Sequence, residues 1–567
     1  MRLKALIPQW GKKKIIVVCV TLTVIFALAM LIGSLNITVT KNVSDKEYSV
    51  DNILSHLYSI SKEEHSIYQS ENLGEVRNYI SSTLYGYGLE NQTITHRARY
   101  VYNEKTDEME AYSPKNLYAE IEGTSGVSVL LVAHYDSCPY KIKYGEASEG
   151  SHGAIDDGYG VAVLLELARI YADEKLTNGI KFAFTDCEEE GCIGSEALVE
   201  EYGDWLKDVN LVINVESRGE TGPVYLFQTS DNNTKLIEFY KNAGFPYTFS
   251  VAAEIYNMMP NDTDLSPFIE GGYNGLNVAS LDGIKNYHND GDKFENADEN
   301  TLVKYCDTLL PLLDEYTKNS RYSDIDCFDA STNSLFFTLF PNALVSYNEV
   351  TGWVFFGITT ALVIALVAIL VWKKKISIKK VLISLGIDLG LLAVICGLGF
   401  LIAAIACAIC GVSFHFMFVI AVSSDAAILI IFSIVSVLLT VLSTLVKSKF
   451  FGGLEMTVGA LIFHVILSVV SAAVLFGGSF IFVIPSLLVA IAAFLTLLKN
   501  RKLKTYLVGG IMAIAMIFTL SFYVSLIYSV YVSLSFGAFG LLIALPVIPL
   551  ELLLPQAFDF YSEEVTA

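Results

Sequence analysis

Phe184-Thr185-Asp186-Cys187-Glu188-Glu189-Glu190-Gly191-Cys192-Ile193-Gly194-Ser195 begins where an apolar strand, Ile180–Phe184, runs out. Three consecutive carboxylates follow the strand. Like charges in a row repel each other, and alone they fit a solvated loop or an acidic helix start, which the helix dipole favours. The reading changes because other stretches repeat the layout, an apolar strand ending in a residue that can bind a metal.

Working outward, the pattern alternates. Strands are expected at Val127–His134, Ile180–Phe184, Val209–Val215, Val224–Gln228 and Leu276–Ser280. Helices are expected at Val161–Tyr171, from Gly194 to Tyr202, at Leu236–Asn242 and at Glu299–Tyr316. Such alternation predicts an α/β domain with a mixed, largely parallel sheet and helices on both faces. The preceding segment, 36–114, reads as a helical lead-in (Val50–Leu73, then Glu75–Tyr87) and a first hairpin.

In an open α/β sheet, ligands collect at the carboxyl ends of the strands. There the sequence places His134-Tyr135-Asp136-Ser137, the loop Gly153-Ala154-Ile155-Asp156-Asp157-Gly158-Tyr159-Gly160, then Glu188-Glu189, Asn214-Val215-Glu216-Ser217-Arg218-Gly219 and Tyr287-His288-Asn289-Asp290. Taken singly, each has an ordinary explanation. A histidine after a strand is usually a polar loop residue, and Asp156-Asp157 beside glycines is turn chemistry. A phosphate loop is a poor fit, since no lysine stands at the Walker position and the two aspartates would repel phosphate. Together, two histidines and three carboxylates on one sheet edge suit divalent metals, zinc first.

The 567 residues carry a net charge of −21, nearly all of it before Val350, which argues against nucleic acid as a partner. Nine cysteines give no disulfide framework; Cys187 and Cys192 bracket the acidic run as either a bridge or two buried thiols. Residues 1–14 form a short basic tail, and 15–35 are apolar throughout, longer than a signal-peptide core, so an uncleaved anchor with its N-terminus inside is expected. The segment 115–318 is the expected catalytic domain and 319–352 a linker with an amphipathic piece, Leu335–Leu344. From 353 to 555 apolar runs long enough to cross a hydrocarbon core of ~30 Å repeat, about seven of them, before a tail at 556–567. These spans read as 353–372, 381–409, 424–446, 454–476, 479–498, 505–530 and 537–555. The lysine clusters at Lys373–Lys375, Lys447/Lys449 and Lys499–Lys504 then fall on the inner side, which puts the α/β domain outside, in the extracellular or luminal space.

The combined set resembles the co-catalytic zinc peptidases, the family of bacterial leucyl-type aminopeptidases, glutamate carboxypeptidase and the transferrin receptor ectodomain, over residues 115–318. It is most similar to the membrane branch with endoplasmic reticulum metallopeptidase and vacuolar membrane protease, through Asn214–Gly219, Gly222-Pro223, Phe227-Gln228-Thr229 and Pro260-Asn261-Asp262-Thr263-Asp264. That branch also has an anchor and a multi-span C-terminal half. The resemblance implies two zinc ions per chain, one on His134, Asp156 and Glu216, the other on Asp156, Glu189 and His288. It implies Glu188 as general base, with Asp136 orienting the His134 imidazole, and a peptide-cleaving exopeptidase of the aminopeptidase kind as the activity. The chemistry is coherent in its own terms: paired metals lower the pKa of a shared water, and a carboxylate that is not a ligand moves its proton.

Two departures stand out. Gly158-Tyr159-Gly160 replaces the usual small residue-Ser-Gly, and Asn289-Asp290-Gly291-Asp292 replaces a threonine-containing turn. His152, Arg218 and Asp264 are candidate substrate contacts, each with a structural hydrogen bond or salt bridge as the alternative. In the membrane half, Asp388, Asp425 and His464 raise a transport or relay role against plainer interfacial or helix-contact roles. Two other functions compete with hydrolysis. A catalytically inactive receptor or scaffold has no physical reason to keep a full ligand set. A transporter with an accessory ectodomain needs a continuous polar path, and few charged residues offer one.

Overall fold

Uninterrupted Val/Ile/Leu runs in the first 350 residues become strands buried on both faces, as a helix-covered parallel sheet requires. A computed structural model describes residues 24–25, 27–35, 48–143, 146–259, 261–340, 343–416, 420 and 425–563. The chain separates into two units, Ile37–Asn348 and a second made of Met1–Asn36 and Glu349–Ala567.

In chain order the strands of the first unit are β1 (Asn91–Thr95), β2 (Arg99–Asn103), β3 (Glu108–Tyr112), β4 (Lys115–Ile121), β5 (Ser128–His134), β6 (Lys141–Lys143), β7 (Glu146–Ser148), β8 (Gly179–Thr185), β9 (Val209–Ser217), β10 (Thr221–Thr229), β11 (Tyr247–Thr248), β12 (Gly275–Asp282), β13 (Ser334–Phe340) and β14 (Ala343–Asn348). Eight of them form one sheet in the order β1-β4-β8-β5-β9-β12-β10-β11. Its centre, β8-β5-β9-β12, is parallel, while β1, β4 and β10 join antiparallel. This is the mixed, largely parallel α/β sheet expected from the sequence.

Alternation along β5 feeds two cores. Val129, Leu131 and Ala133 pack with the helices Val50–Ile60, Gly158–Tyr171 and Glu299–Lys318. Leu130 and Val132 pack with Leu198, Leu265 and Phe268 on the other face. Every residue of β5, β8 and β9 is buried. At an order-of-magnitude ~1.5–3 kcal/mol per fully buried aliphatic side chain, this sandwich holds the strand ends rigid.

Local readings needed correction in two places. The lead-in helix stops at Ile60 rather than Leu73, and the next runs from Ser70 to Gly86. Ser61-Lys62-Glu63-Glu64 gives no apolar stripe to continue, and the chain crosses to the sheet edge instead. There the His65 amide donates to Ser137 Oγ at 3.1 Å. Leu335–Leu344, expected as an amphipathic piece of a linker, falls on the β13–β14 hairpin. Phe336 and Phe337 point to opposite sides there, and both are buried. The expected first hairpin forms as β2–β3.

Among the described residues, the second unit has seven helices long and apolar enough to cross a membrane: Glu349–Trp372, Ile378–Cys410, Ala426–Lys447, Gly453–Val474, Phe476–Leu495, Lys502–Leu534 and Phe536–Gln556. It is a multi-pass membrane unit. Of the expected anchor, 24–25 and 27–35 are helical, and the rest lies outside the described residues, as do 1–14. Lys447, expected in a basic break at the inner surface, is buried and pairs with Asp388. His464 turns its Nδ1 to the Ala460 carbonyl at 3.0 Å on its own helix, and Asp425 opens the helix Asp425–Lys447.

Candidate metal centre

The parallel strands deliver their carboxyl ends side by side, with His134 level with Thr185 and Glu216 level with Ala279. His134 closes β5, Glu216 is the penultimate residue of β9, and Glu188-Glu189 follow β8. Asp156 stands just before the helix Gly158–Tyr171, whose first turn is capped by Asp157 accepting from the Gly160 amide at 3.1 Å. His288 lies beyond β12 in a left-handed conformation, φ 58°, uncommon for a residue with a Cβ. The neighbouring Tyr287 ring stacks on its imidazole with centroids 3.7 Å apart.

These ends converge. His134 Nε2 lies 3.2 Å from Asp156 Oδ1 and 3.4 Å from Glu216 Oε1. His288 Nε2 lies 2.9 Å from Asp156 Oδ2 and 3.2 Å from Glu189 Oε2. Asp156 therefore faces one imidazole with each oxygen. His134 turns its other nitrogen, Nδ1, to the Asp136 backbone carbonyl at 2.9 Å and lies 3.6 Å from the Asp136 carboxylate. That carboxylate accepts from the amides of Glu188 at 3.0 Å and Glu189 at 3.3 Å. One buried acid thus fixes both the imidazole and the acidic run.

The fit to metal can be tested on this geometry. Each imidazole Nε2 carries at most one proton, yet each is crowded by two carboxylate oxygens. Two ligand atoms bound at about 2.0–2.1 Å with tetrahedral angles stand about 3.3 Å apart, the spacing observed. His134, Asp156 and Glu216 offer one set of donor atoms within 4.8 Å of one another, and Cys138, Glu189 and His288 offer another. The charge balance agrees. Burial pushes the carboxyls of Glu188 and Glu189 well above their usual range, and Glu216 up as well. Burial also works to raise Asp156, but its hydrogen bonds to His134 and His288 win and hold it low. Burial opposes charging His134, and Glu216, Asp136 and Asp156 override it. Acids so crowded call for cations, and the donors suit zinc.

Glu188 belongs to neither donor set. Its Oε1 accepts a weak bond from Cys192 Sγ at 3.5 Å. Each of the three candidate substrate contacts has partners of its own. Asp264 is fully buried, accepts from the Thr185 hydroxyl, and is pushed up to about 6 by burial. Arg218 is half-buried, with its amide on the Ser280 carbonyl at 3.0 Å. His152 places Nδ1 3.3 Å from the Ser61 carbonyl and Nε2 4.0 Å from Asp290.

Three residues at the site were not singled out from sequence. Asp292 accepts from the Ile155 amide at 2.6 Å, the Asp156 amide at 3.3 Å and the Ser151 hydroxyl at 2.9 Å, pinning the loop that carries Asp156. Burial pushes its carboxyl up to about 7. Lys141 reaches the Glu189 carbonyl at 3.0 Å and Glu190 Oε1 at 3.1 Å. Cys138 lies beside Glu189 and His288. None of the three carries a local sequence signal, since each acts on a partner far along the chain.

Residues 116–313 match the model of peptidase family M28. The chain is 26% identical over 354 residues to the vacuolar membrane protease of Candida dubliniensis, covering 60% of this chain and 36% of that one. It is 28% identical over 290 residues to the vacuolar membrane protease of Eremothecium gossypii, covering 50% and 27%. The chain therefore spans less than half the length of these curated relatives. Similar solved structures include Porphyromonas gingivalis glutaminyl cyclase (TM-score 0.39, 21% identity, 48% of this chain and 100% of that one). Another is a Zn-dependent exopeptidase from Parabacteroides distasonis (TM-score 0.38, 17% identity, 47% and 98%). Residues 116–313, the part that matches peptidase family M28, lie within the first unit, Ile37–Asn348.

Proposed function

We propose that this chain is a membrane-anchored di-zinc metallopeptidase that hydrolyses peptide bonds, an exopeptidase of the aminopeptidase kind, with its catalytic domain on the extracellular or luminal side. The observation that carries the reading is Asp156, whose two oxygens face the His134 and His288 imidazoles at 3.2 and 2.9 Å. A carboxylate so placed is built to be shared. His134, Asp156 and Glu216 would hold one zinc, and Asp156, Glu189 and His288 the other. The pair, when bound, would supply Lewis-acid activation of water and of the scissile carbonyl.

The chain's own groups do the rest. Glu188, outside both donor sets, takes the proton of the attacking water and returns it to the leaving amine. Burial raises its carboxyl well above the usual range, which suits a base that must also act as an acid. Asp136 holds the Glu188 and Glu189 amides and keeps His134 oriented. Removal of residues from a peptide end, rather than cleavage within the chain, rests on the family resemblance, as does the presence of two ions.

The test is the purified full-length chain in detergent, assayed against peptides with free and blocked ends, with and without chelator, alongside zinc content. Hydrolysis of free-ended peptides only, lost on chelation and restored by zinc, is expected. Two bound zinc ions without hydrolysis of any peptide would point to the inactive receptor instead.

A further inference from the structure

Beside the ligands already named, one thiol stands where a metal donor would. Cys138 follows β5 by four residues, in the loop that His134 opens. Its Sγ lies with a Glu189 oxygen and a His288 nitrogen in a set whose atoms are all within 4.8 Å of one another. The residue is buried, 1% exposed, with its thiol 3.6 Å from the Pro139 carbonyl and beside the Glu189 carboxylate. A second observation points to a ligand at the same place. The Glu189 side chain is 3% exposed, and its Oε1 is buried with no hydrogen-bond partner among the described residues. A buried carboxylate oxygen left so is costly unless something binds it.

We propose that Cys138 is a thiolate ligand of the metal held by Glu189 and His288, making the two metal positions chemically unlike. This rests on the di-metal reading above. On coordination the thiol gives up its proton to solvent and the sulfur donates its lone pair to the metal, so the charge of the site falls by one. The position on His134, Asp156 and Glu216 has nitrogen and oxygen donors alone. The position with Cys138 is softer, which favours zinc, cadmium and cobalt over manganese or magnesium. It also has fewer places left for water or substrate, since four protein donors close a tetrahedral site. The metal beside His134 is then the more open of the two. The other soluble-unit thiols do not compete, because none of Cys187, Cys192, Cys306 and Cys327 joins a metal-capable set among the described residues.

The test uses the full-length chain in detergent, stripped of metal and reloaded with Co²⁺. A sulfur-to-cobalt charge-transfer band in the near ultraviolet is expected. The band should vanish in C138S and in C138V, while C138S keeps two metals per chain by elemental analysis. The zinc-loaded native chain, examined by X-ray absorption, should show zinc–sulfur scattering at about 2.3 Å, a measurement that needs no variant to fold. Two metals bound with no charge-transfer band and no sulfur scattering would overturn the thiolate ligand and leave the di-metal reading intact. A band that survives in C138S would also overturn it. A chain that binds no metal at all would overturn both.

Discussion

Asp136 shows how much a single side chain can decide at this site. Its carboxylate takes two backbone amides from the acidic run and faces the ring of His134, all in a residue 1% exposed. An asparagine keeps the size but turns an NH₂ toward one of those amides. D136N is therefore expected to weaken zinc binding by roughly 10–100-fold, the usual effect of removing an outer partner of a ligating histidine. Competition with a chromophoric chelator measures this, and an unchanged affinity would show that His134 is held by the backbone carbonyl alone. Glu188 should behave in the opposite way. E188Q is expected to keep the metal content of the native chain and to lose hydrolysis by about 10²–10⁴-fold, the typical worth of a positioned base. Retained turnover would remove Glu188 from the chemistry.

The strands and their ends were the readable part of the sequence, because a strand buried on both faces leaves a continuous apolar run that stops at the candidate ligand. His134, Glu189 and Glu216 could be found that way, each by the strand before it. Asp292 could not, since its work is to accept backbone amides of a loop 136 residues earlier, and that pairing leaves no local trace. The same holds for the helix Val50–Ile60, whose stop at Ser61 reflects where His65 must cross to Ser137. At this scale D292A should leave the Ile155 and Asp156 amides unpaired, at about 1–3 kcal/mol for each buried group. Zinc content and the melting temperature should fall together; zinc loss without destabilisation would make Asp292 a ligand substitute rather than a loop support.

The lead-in helices also carry a pH dependence. His56 sits between the hydroxyls of Tyr79 at 2.9 Å and Tyr87 at 3.0 Å, and burial lowers its pKa. His65 is pushed down to about 4 by burial. In the unfolded chain both titrate near ~6.5. Between that value and the lower folded ones the unfolded state binds more protons, so stability rises with pH and is lost on acidification. Hydrogen-exchange protection factors over Val50–Ile60 should therefore fall from pH 7 to pH 5, and less so in H56Q. Equal protection at both pH values would reject the assignment.

At the scale of the whole chain, hydropathy marks the membrane helices but not which of them need each other. Lys447 reads as the end of a span, yet it is 2% exposed and meets Asp388, itself fully buried, on the neighbouring helix Ile378–Cys410. Removing one partner strands a charge away from water, which costs about 3–5 kcal/mol, whereas replacing both by apolar residues is often near neutral. K447M and D388L should each lower the thermal unfolding midpoint of the detergent-solubilised chain, and the double variant should recover much of the loss. The asymmetry is the informative part. If the pair merely decorates a packed interface, the two single effects will add in the double variant. If instead each charge is tolerated only because the other is present, the double variant will be more stable than either single one, and the two helices are locked in register by that contact.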